Sequence, residues 1–323
     1  MITTNFDVNC EVVDVATHDG QFHADDVFAT AVVCLLHADP RSGLNVVRTR
    51  NPELLKRAQI AVLDVGGVLK VSEGTAWLDH HQWRAEDPAG QRPCGAPYAA
   101  FGLAWDYFGK QLVAEITKER DTEIVDRVWK SIDKIMCQPL DAADVGKAPK
   151  DANVYSMSRA ISALNPIDGS PEDFNTEFEL AVRYAATFLL REVQKLHNSA
   201  VSFERVKSAA LAAIARGERF LVVEQGGVWQ NPTVAANAAV EAGGIDYVIF
   251  QSPDRQWMCQ CVPPEAGSFD KRLPLPEAWA AKRDEELQAM TGVSDAIFCH
   301  AGRFICGAKS KEGAIALATL ALA

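Results

Sequence analysis

Apolar and polar positions alternate from Glu11 to His18 (EVVDVATH), a period of two that predicts a β-strand. Thr17 to His23 (THDGQFH) loses the alternation and reads as a loop. From Ala24 to His37 the apolar residues Val27, Phe28, Ala31, Val32, Leu35 and Leu36 recur at helical spacing. A second strand is expected over Leu44 to Arg48. A short helix follows from Pro52, whose fixed φ suits a first helical turn. Gln59 to Asp64 is a continuous apolar strand ending in Asp64-Val65-Gly66-Gly67, and Trp77 to His80 is the next strand. Pro97 to Phe108 and Leu112 to Met136 read as helices. The second ends near Pro139, which leaves Asp141 to Gly146 and the polar segment 147–154 as loop.

Strands alternating with helices predict an α/β fold, a mainly parallel sheet flanked by helices. Ligands bind such sheets beyond the carboxyl ends of the strands. His18, Asp64 and Asp79 to His81 all fall at that end.

The second half reads differently. Phe174 to Ile214 is a long helical stretch with a stop at Gly217. Shorter strands follow at Arg219 to Glu224, Tyr247 to Gln251 and Trp257 to Val262. Then come a Pro-rich segment (Leu273 to Trp279), a helix near Asp284 to Met290, a strand at Ala296 to Cys299, a Gly-rich turn and a helix over Glu312 to Leu322. The domain boundary is expected near 200–216. It separates a catalytic domain over 10–200 from a smaller α/β domain over 217–323, joined by a helical connector.

Composition narrows the function. Hydrophobic residues make up 48% of 323, enough for a buried core. The net charge of −11 argues against a protein that coats nucleic acid electrostatically, so an anionic substrate would need a local positive centre. Eight cysteines (10, 34, 94, 137, 259, 261, 299 and 306) form no CxxC pair, which disfavours a zinc ribbon. Most sit in apolar runs and read as reduced core residues of a protein in a reducing compartment. The start lacks the features of a secretory or transit peptide, and no apolar run is long enough to span a bilayer. The expectation is a soluble, cytoplasmic protein, with organellar or nuclear placement left open.

Four stretches carry candidate chemistry. His18-x4-His23-x-Asp25-Asp26 spans a strand-to-helix junction, although acids favour helix N-termini with no metal present. Asp64-Val-Gly-Gly closes a strand and is also turn-like. Asp79-His80-His81 follows an apolar strand. Asp141 and Asp144 follow a helix and read, singly, as a solvated turn. Of seven histidines, His18, His23, His80 and His81 fall in these stretches and His300 follows the apolar strand Ala296 to Cys299, while His37 and His197 read as surface residues. Imidazoles and carboxylates at successive strand ends suit divalent transition metals. They fit a site in which two ions, about 3.5–4 Å apart, promote in-line displacement at phosphorus.

In this order the motifs resemble the DHH phosphoesterase superfamily. THDGQFHADD, LDVGG, WLDHHQ, CGAPYAAFGLAW and IFCHAGRF…GAKSKEGAIALA resemble, more narrowly, its melanocyte-proliferating-gene family, from about residue 12 to the C-terminus. The resemblance implies a DHH-like catalytic domain in which His18, His23, Asp25, Asp64, His80 and Asp144 bind metal, with Asp64 bridging. It implies that His81 faces the scissile phosphate and that Asp79 supports an imidazole. The expected cofactors are two divalent ions, Mn²⁺ foremost and Mg²⁺ as the alternative. The expected substrate is RNA or a short oligonucleotide, cleaved 3′–5′. The chain departs from the family pattern at Asp19, Asp26, Val145 and the shifted glycine of His300-Ala301-Gly302-Arg303-Phe304. His300, Arg303 and Lys309 are the expected substrate contacts of the second domain. Two other functions remain open on sequence: a small-molecule phosphohydrolase acting on pyrophosphate or nucleotides, and a non-catalytic metal-binding scaffold.

Overall fold

The computed structural model describes the strand residues 4–5 and residues 12–37, 43–72, 74–84, 87–148, 155–167, 173–223, 232–268 and 270–323. Glu11, Glu224, Cys10 and most of the loop expected over 147–154 lie outside them. The chain divides into two compact units, Met1–His197 and Asn198–Ala323.

The first unit contains strands β1 (Thr4–Asn5), β2 (Val13–Thr17), β3 (Leu44–Arg48), β4 (Ala58–Leu63), β5 (Leu69–Ser72) and β6 (Thr75–Leu78). Its helices are α1 (Ala24–His37), α2 (Pro52–Leu55), α3 (Ala100–Thr117), α4 (Thr122–Ile132), α5 (Gln138–Asp144) and α6 (Met157–Ser162). The sheet order is β1-β3-β2-β4-β6-β5. Every pairing is parallel except β5 with β6. The three middle strands β2, β4 and β6 are neighbours, so their carboxyl ends open side by side. They are largely buried and apolar, as a sheet covered on both faces requires. One face packs Val13, Ala16, Val47, Leu55, Val62 and Val65 into a cluster with Trp77. Elsewhere α1 lies against α3, where the rings of Phe28 and Phe101 stand 5.0 Å apart.

The polar residues that start the helices are legible in the bonds they make. Asp26 Oδ1 accepts the His23 N–H at 2.9 Å and so holds the entry to α1. Asn51 and Asp121 accept the amides of Glu53 and Glu123 at the starts of α2 and α4.

Two expected boundaries move. The helix starting near Pro97 does not stop before Leu112. It runs as α3 through Gly109 to Thr117 and ends where Lys118 takes a left-handed φ of 56°. Gly109 is a packing glycine, since a Cβ there would lie 2.7 Å from Trp105 and 2.9 Å from Trp129. Those two indoles donate to each other's backbone carbonyls at 3.0 and 3.1 Å. The second correction concerns Asp141 and Asp144. α4 passes through a π-helical segment, Asp133–Cys137, directly into α5, so both residues lie on a helix and not in a loop. Pro139 follows directly on the π-helical segment, whose altered hydrogen-bond spacing lets the helix carry it, and does not end a helix. β5 and α6 had no counterpart in the sequence reading.

The 42-residue helix α7 (Phe174–Ala215) carries the division between the units. Within the first unit, His197 on α7 is half-buried and pairs with Glu119 at 2.9 Å, which corrects its reading as a surface residue. The second unit holds β7 (Phe220–Val223), α8 (Pro232–Ala242), β8 (Tyr247–Gln251), β9 (Trp257–Cys261), α9 (Asp284–Thr291), β10 (Ala296–Cys299), β11 (Ile305–Ala308) and α10 (Lys311–Leu322). Its sheet runs β10-β11-β9-β8-β7. Only β7 and β8 are parallel. Ser310 caps α10 by accepting the Gly313 amide, and its own N–H and hydroxyl donate to Asp295. The cysteines among the described residues are free thiols, all buried except Cys94. No described helix is long and apolar enough to cross a membrane.

Candidate metal centre

β2, β4 and β6 end respectively just before His18, Asp64 and Asp79-His80, and the loop after β2 leads into α1 with Asp25 and Asp26 in its first turn. α5 brings Asp144 on its last turn. The structure therefore brings together His18, His23, Asp25, Asp64, His80, His81 and Asp144. β6 stops at Leu78, before the alternation of a strand could send Asp79 and His80 to opposite faces.

Asp64 is at the middle. Its Oδ2 lies 3.3 Å from His18 Nε2 and its Oδ1 lies 3.1 Å from His80 Nε2. His80 Nε2 is also 3.3 Å from Asp144 Oδ2 and 3.7 Å from Asp25 Oδ2. His23 Nδ1 stands 3.8 Å from Asp144 Oδ1. Asp64 occupies a left-handed φ of 55°, a conformation that costs a β-carbon residue about 1–2 kcal/mol and that clusters at functional sites. Gly66 and Gly67 follow with φ of 101° and 67°, and so turn the chain away.

Asp79 takes a different part. Its Oδ1 accepts the His81 amide at 3.1 Å and lies 2.7 Å from His81 Nδ1, while its Oδ2 accepts the Gly67 amide at 2.5 Å. It thus ties the β6 end to the Asp64 turn and fixes one nitrogen of His81. The His81 side chain is 61% exposed, so its ring reaches outward from the cluster.

Charge explains the titration. Burial, then the Asp64 and Asp144 carboxylates, push Asp25 well above the ordinary carboxylate range, and burial raises Asp26 too. Burial opposes the charged form of Asp64 as well, but His18 and His80 outweigh it and hold that carboxyl low. Burial works against the His18 imidazolium, yet Asp26 and Asp64 lift it to about 10. The Asp79 hydrogen bond raises His81. These are signs of crowded negative charge, which a bound cation would relieve.

Four buried atoms here lack a hydrogen-bond partner: Asp25 Oδ1, Asp26 Oδ2, Asp64 Oδ1 and His80 Nε2. Unpaired buried polar atoms are costly. Asp64 Oδ1 and His80 Nε2 are close enough to bond, yet they are not aligned on each other. Imidazole and carboxylate lone pairs gathered in this way fit a divalent metal. Three sets of atoms lie within 4.8 Å of one another: His18 with His23 and Asp64, Asp64 with His80 and His81, and His23 with Asp25 and Asp144. Asp64 and His23 each belong to two sets.

Some residues of the centre were missed in the sequence. Asp26 reads there as a helix-start acid, but its Oδ2 lies 3.1 Å from His18 Nε2. Asp141, read as solvated, is fully buried. It pairs with Arg92 Nη2 at 2.7 Å and accepts the Gly102 amide at 3.1 Å. Arg92 also binds Asp133 at 2.8 Å. One helical turn before Asp144, Asp141 anchors α5. The i,i+3 spacing of the two acids was the available signal.

His300, Arg303 and Lys309 lie in the second unit, around the hairpin of β10 and β11. His300 is exposed and its Nδ1 accepts the Gly302 amide at 3.0 Å. Arg303 has a left-handed φ of 56° and its backbone carbonyl accepts the Leu275 amide. Lys309 is exposed beside the α10 cap.

Comparison with known proteins identifies the family directly. The family MYG1_exonuc, described as uncharacterised protein family UPF0160, matches residues 14–322, and the chain belongs to it. It is 31% identical to the MYG1 exonuclease of Mus musculus over 96% of this chain and 84% of that protein. It is also 31% identical to the MYG1 protein of Schizosaccharomyces pombe, over 96% and 98%. Among solved structures, RecJ from Thermus thermophilus in complex with Mg²⁺ aligns with a TM-score of 0.25 and 14% identity, over 96% of this chain and 49% of that one. Exonuclease RecJ bound to manganese aligns with a TM-score of 0.25 and 12% identity, over 96% of this chain and 90% of that one.

Proposed function

We propose that this protein is a metal-dependent phosphodiesterase, a 3′–5′ exoribonuclease acting on RNA or short oligonucleotides. The observation that carries the reading is the Asp64 carboxylate, whose two oxygens face His18 and His80 separately at 3.3 and 3.1 Å, as a bridge between two cation sites requires. Membership of a family that includes a protein named MYG1 exonuclease supports the nuclease class.

His18, His23, Asp25, Asp64, His80 and Asp144 would hold two divalent ions, Mn²⁺ foremost. Bound there, the ions supply Lewis-acid activation of water and neutralise phosphate charge. The protein's own groups do the rest. Asp79 holds the Nδ1 side of His81, so the other ring nitrogen is the one left to meet substrate. That contact favours the charged form of His81, whose other nitrogen would donate a hydrogen bond to the phosphate oxygens as charge develops. His300, Arg303 and Lys309 would bind substrate from the second unit. The net charge of −11 suits short substrates gripped at the metal site over long ones held along a basic groove.

The test is incubation of the purified protein with Mn²⁺ and a 5′-labelled oligoribonucleotide. A ladder of labelled products shortened from the 3′ end is expected, and Asp64→Ala should abolish it. Release of no nucleotide would overturn the reading. Cleavage of pyrophosphate alone would point to a small-molecule phosphohydrolase.

A further inference from the structure

Beside the metal-ligand cluster lies an open pocket of about 220 Å³. Its walls are the planar or apolar groups Trp83, Pro97, Tyr98 and Val145, with Arg84 as the cation and His81 on the side of the cluster. Val145 directly follows Asp144, so the pocket adjoins the place where a scissile phosphate would sit. Pockets for drug-sized ligands span roughly 300–1,000 Å³, so this one has room for a single ring system.

Its aromatic walls are held in place. The Trp83 indole is braced on Gly90, where a Cβ would stand 3.1 Å from the ring. The Trp83 amide donates to the His80 carbonyl at 3.1 Å, which couples the indole to the Asp79-His80-His81 turn. Tyr98 lies under the buried Arg92 guanidinium, 4.1 Å from its ring centroid, and its amide donates to Gly90. Gly90 therefore serves both walls. Arg84 is exposed, and its guanidinium makes no ion pair among the described residues. A fixed aromatic surface with an exposed cation beside a phosphate site is the chemistry that binds a nucleobase: every base has a π-face to stack, and stacking is tolerant of sequence.

We propose that this pocket is the subsite for the base of the nucleotide being released, with Trp83 as its stacking platform and Arg84 at its rim. The proposal rests on the phosphodiesterase reading above and specifies which part of the product the protein grips. Grip on the base makes a nucleoside phosphate a better ligand than the same sugar phosphate without its base.

The experiment is calorimetric titration of the Mn²⁺-loaded full-length protein with adenosine 5′-monophosphate, ribose 5-phosphate and inorganic phosphate. The wild type should bind the nucleotide roughly tenfold or more tightly than ribose 5-phosphate. Trp83→Ala should bring that ratio to about one, and Trp83→Phe should keep most of it. Gly90→Ala, which displaces the indole without removing it, should fall between. The readout is a ratio within one protein sample, so partial loss of fold or metal affects both ligands alike. A wild-type ratio near one, or a ratio that survives Trp83→Ala, overturns the subsite while leaving the phosphodiesterase reading intact. Failure of the wild type to bind any of the three phosphates overturns both.

Discussion

Asp141 and Gly102 are fitted to each other across 39 residues of sequence. The Asp141 carboxylate takes the Gly102 amide at 3.1 Å, and a Cβ on residue 102 would stand 2.0 Å from its other oxygen. Only glycine leaves that carboxylate its place on the first turn of α3. Gly102→Ala is expected to destabilise the protein by about 1–3 kcal/mol, the usual cost of overpacking. It should also weaken Mn²⁺ binding, because Asp144 rides on the same helix as Asp141. Urea unfolding and metal titration of the variant check both.

Asp79 supports the centre without joining the sets that converge on Asp64. Asp79→Ala frees the Gly67 amide and His81 together. Loss of such an outer partner typically costs 10–100-fold in metal affinity or activity. Asp79→Asn keeps an acceptor for Gly67 and should lose less. Mn²⁺ titration and turnover of the two variants, side by side, give the comparison.

Cation binding should stabilise the folded chain, because the crowded carboxylates exist only when it is folded. Added Mn²⁺ is expected to raise the thermal midpoint in a concentration-dependent way, and chelator should reverse the rise. Asp64→Ala, which removes the group shared by two ligand sets, should flatten the response. A midpoint indifferent to Mn²⁺ would count against the metal centre itself.

Arg303 holds a left-handed backbone, with a φ of 56°. Arg303→Gly should be more stable than Arg303→Ala by about 1 kcal/mol, since both lose the side chain and only glycine adopts that φ freely. If Arg303 also contacts substrate, both variants should raise KM alike. Thermal melts separate the backbone effect from the binding one.

Glu119 supplies a pH dependence with a defined sign. Its carboxyl accepts the Asp121 amide, pairs with His197 and accepts the Arg120 amide, contacts that hold it down to about 2 from an ordinary 4.5. A depressed carboxylate contributes stability above the ordinary value and loses it as pH falls through the depressed one. The stability gap between wild type and Glu119→Gln should therefore be full above pH 4.5 and shrink as pH falls toward 2. Urea midpoints of the pair across that range check it.

The parts of this site that can be read in the sequence are those whose signal is local. β2 and α1 announce themselves by period and β4 by a continuous apolar run, and the strand ends place His18 and Asp64 without coordinates. Asp79-His80-His81 is legible as a cluster, but the division of labour within it depends on the Gly67 amide, twelve residues away. Gly109 looks like a break because the second of the two indoles that need its missing side chain, Trp129, comes from α4 and not from its own helix. Pro139 looks like a helix stop because the π-helical segment just before it, which lets the helix carry a proline, has no signature in the sequence. Arg92 and Asp141 carry no motif, and their pairing exists only once α5 has docked. β5 is exposed at every position, so no buried face marks it, and β11 is interrupted by Gly307.

The π-helical segment Asp133–Cys137 has a further consequence. A residue added to a regular α-helix rotates everything after it by about 100°, but a π-helical turn takes up one residue more than an α-turn and leaves the faces on either side aligned. Deleting one residue there would restore an ordinary helix with Asp141 still toward Gly102 and Asp144 still toward His80, whereas a deletion within α5, which has no such turn to absorb it, would swing Asp144 off His80. The aim of the Asp144 carboxylate is therefore fixed by the length of α5 and buffered against a one-residue change of length between Asp133 and Cys137.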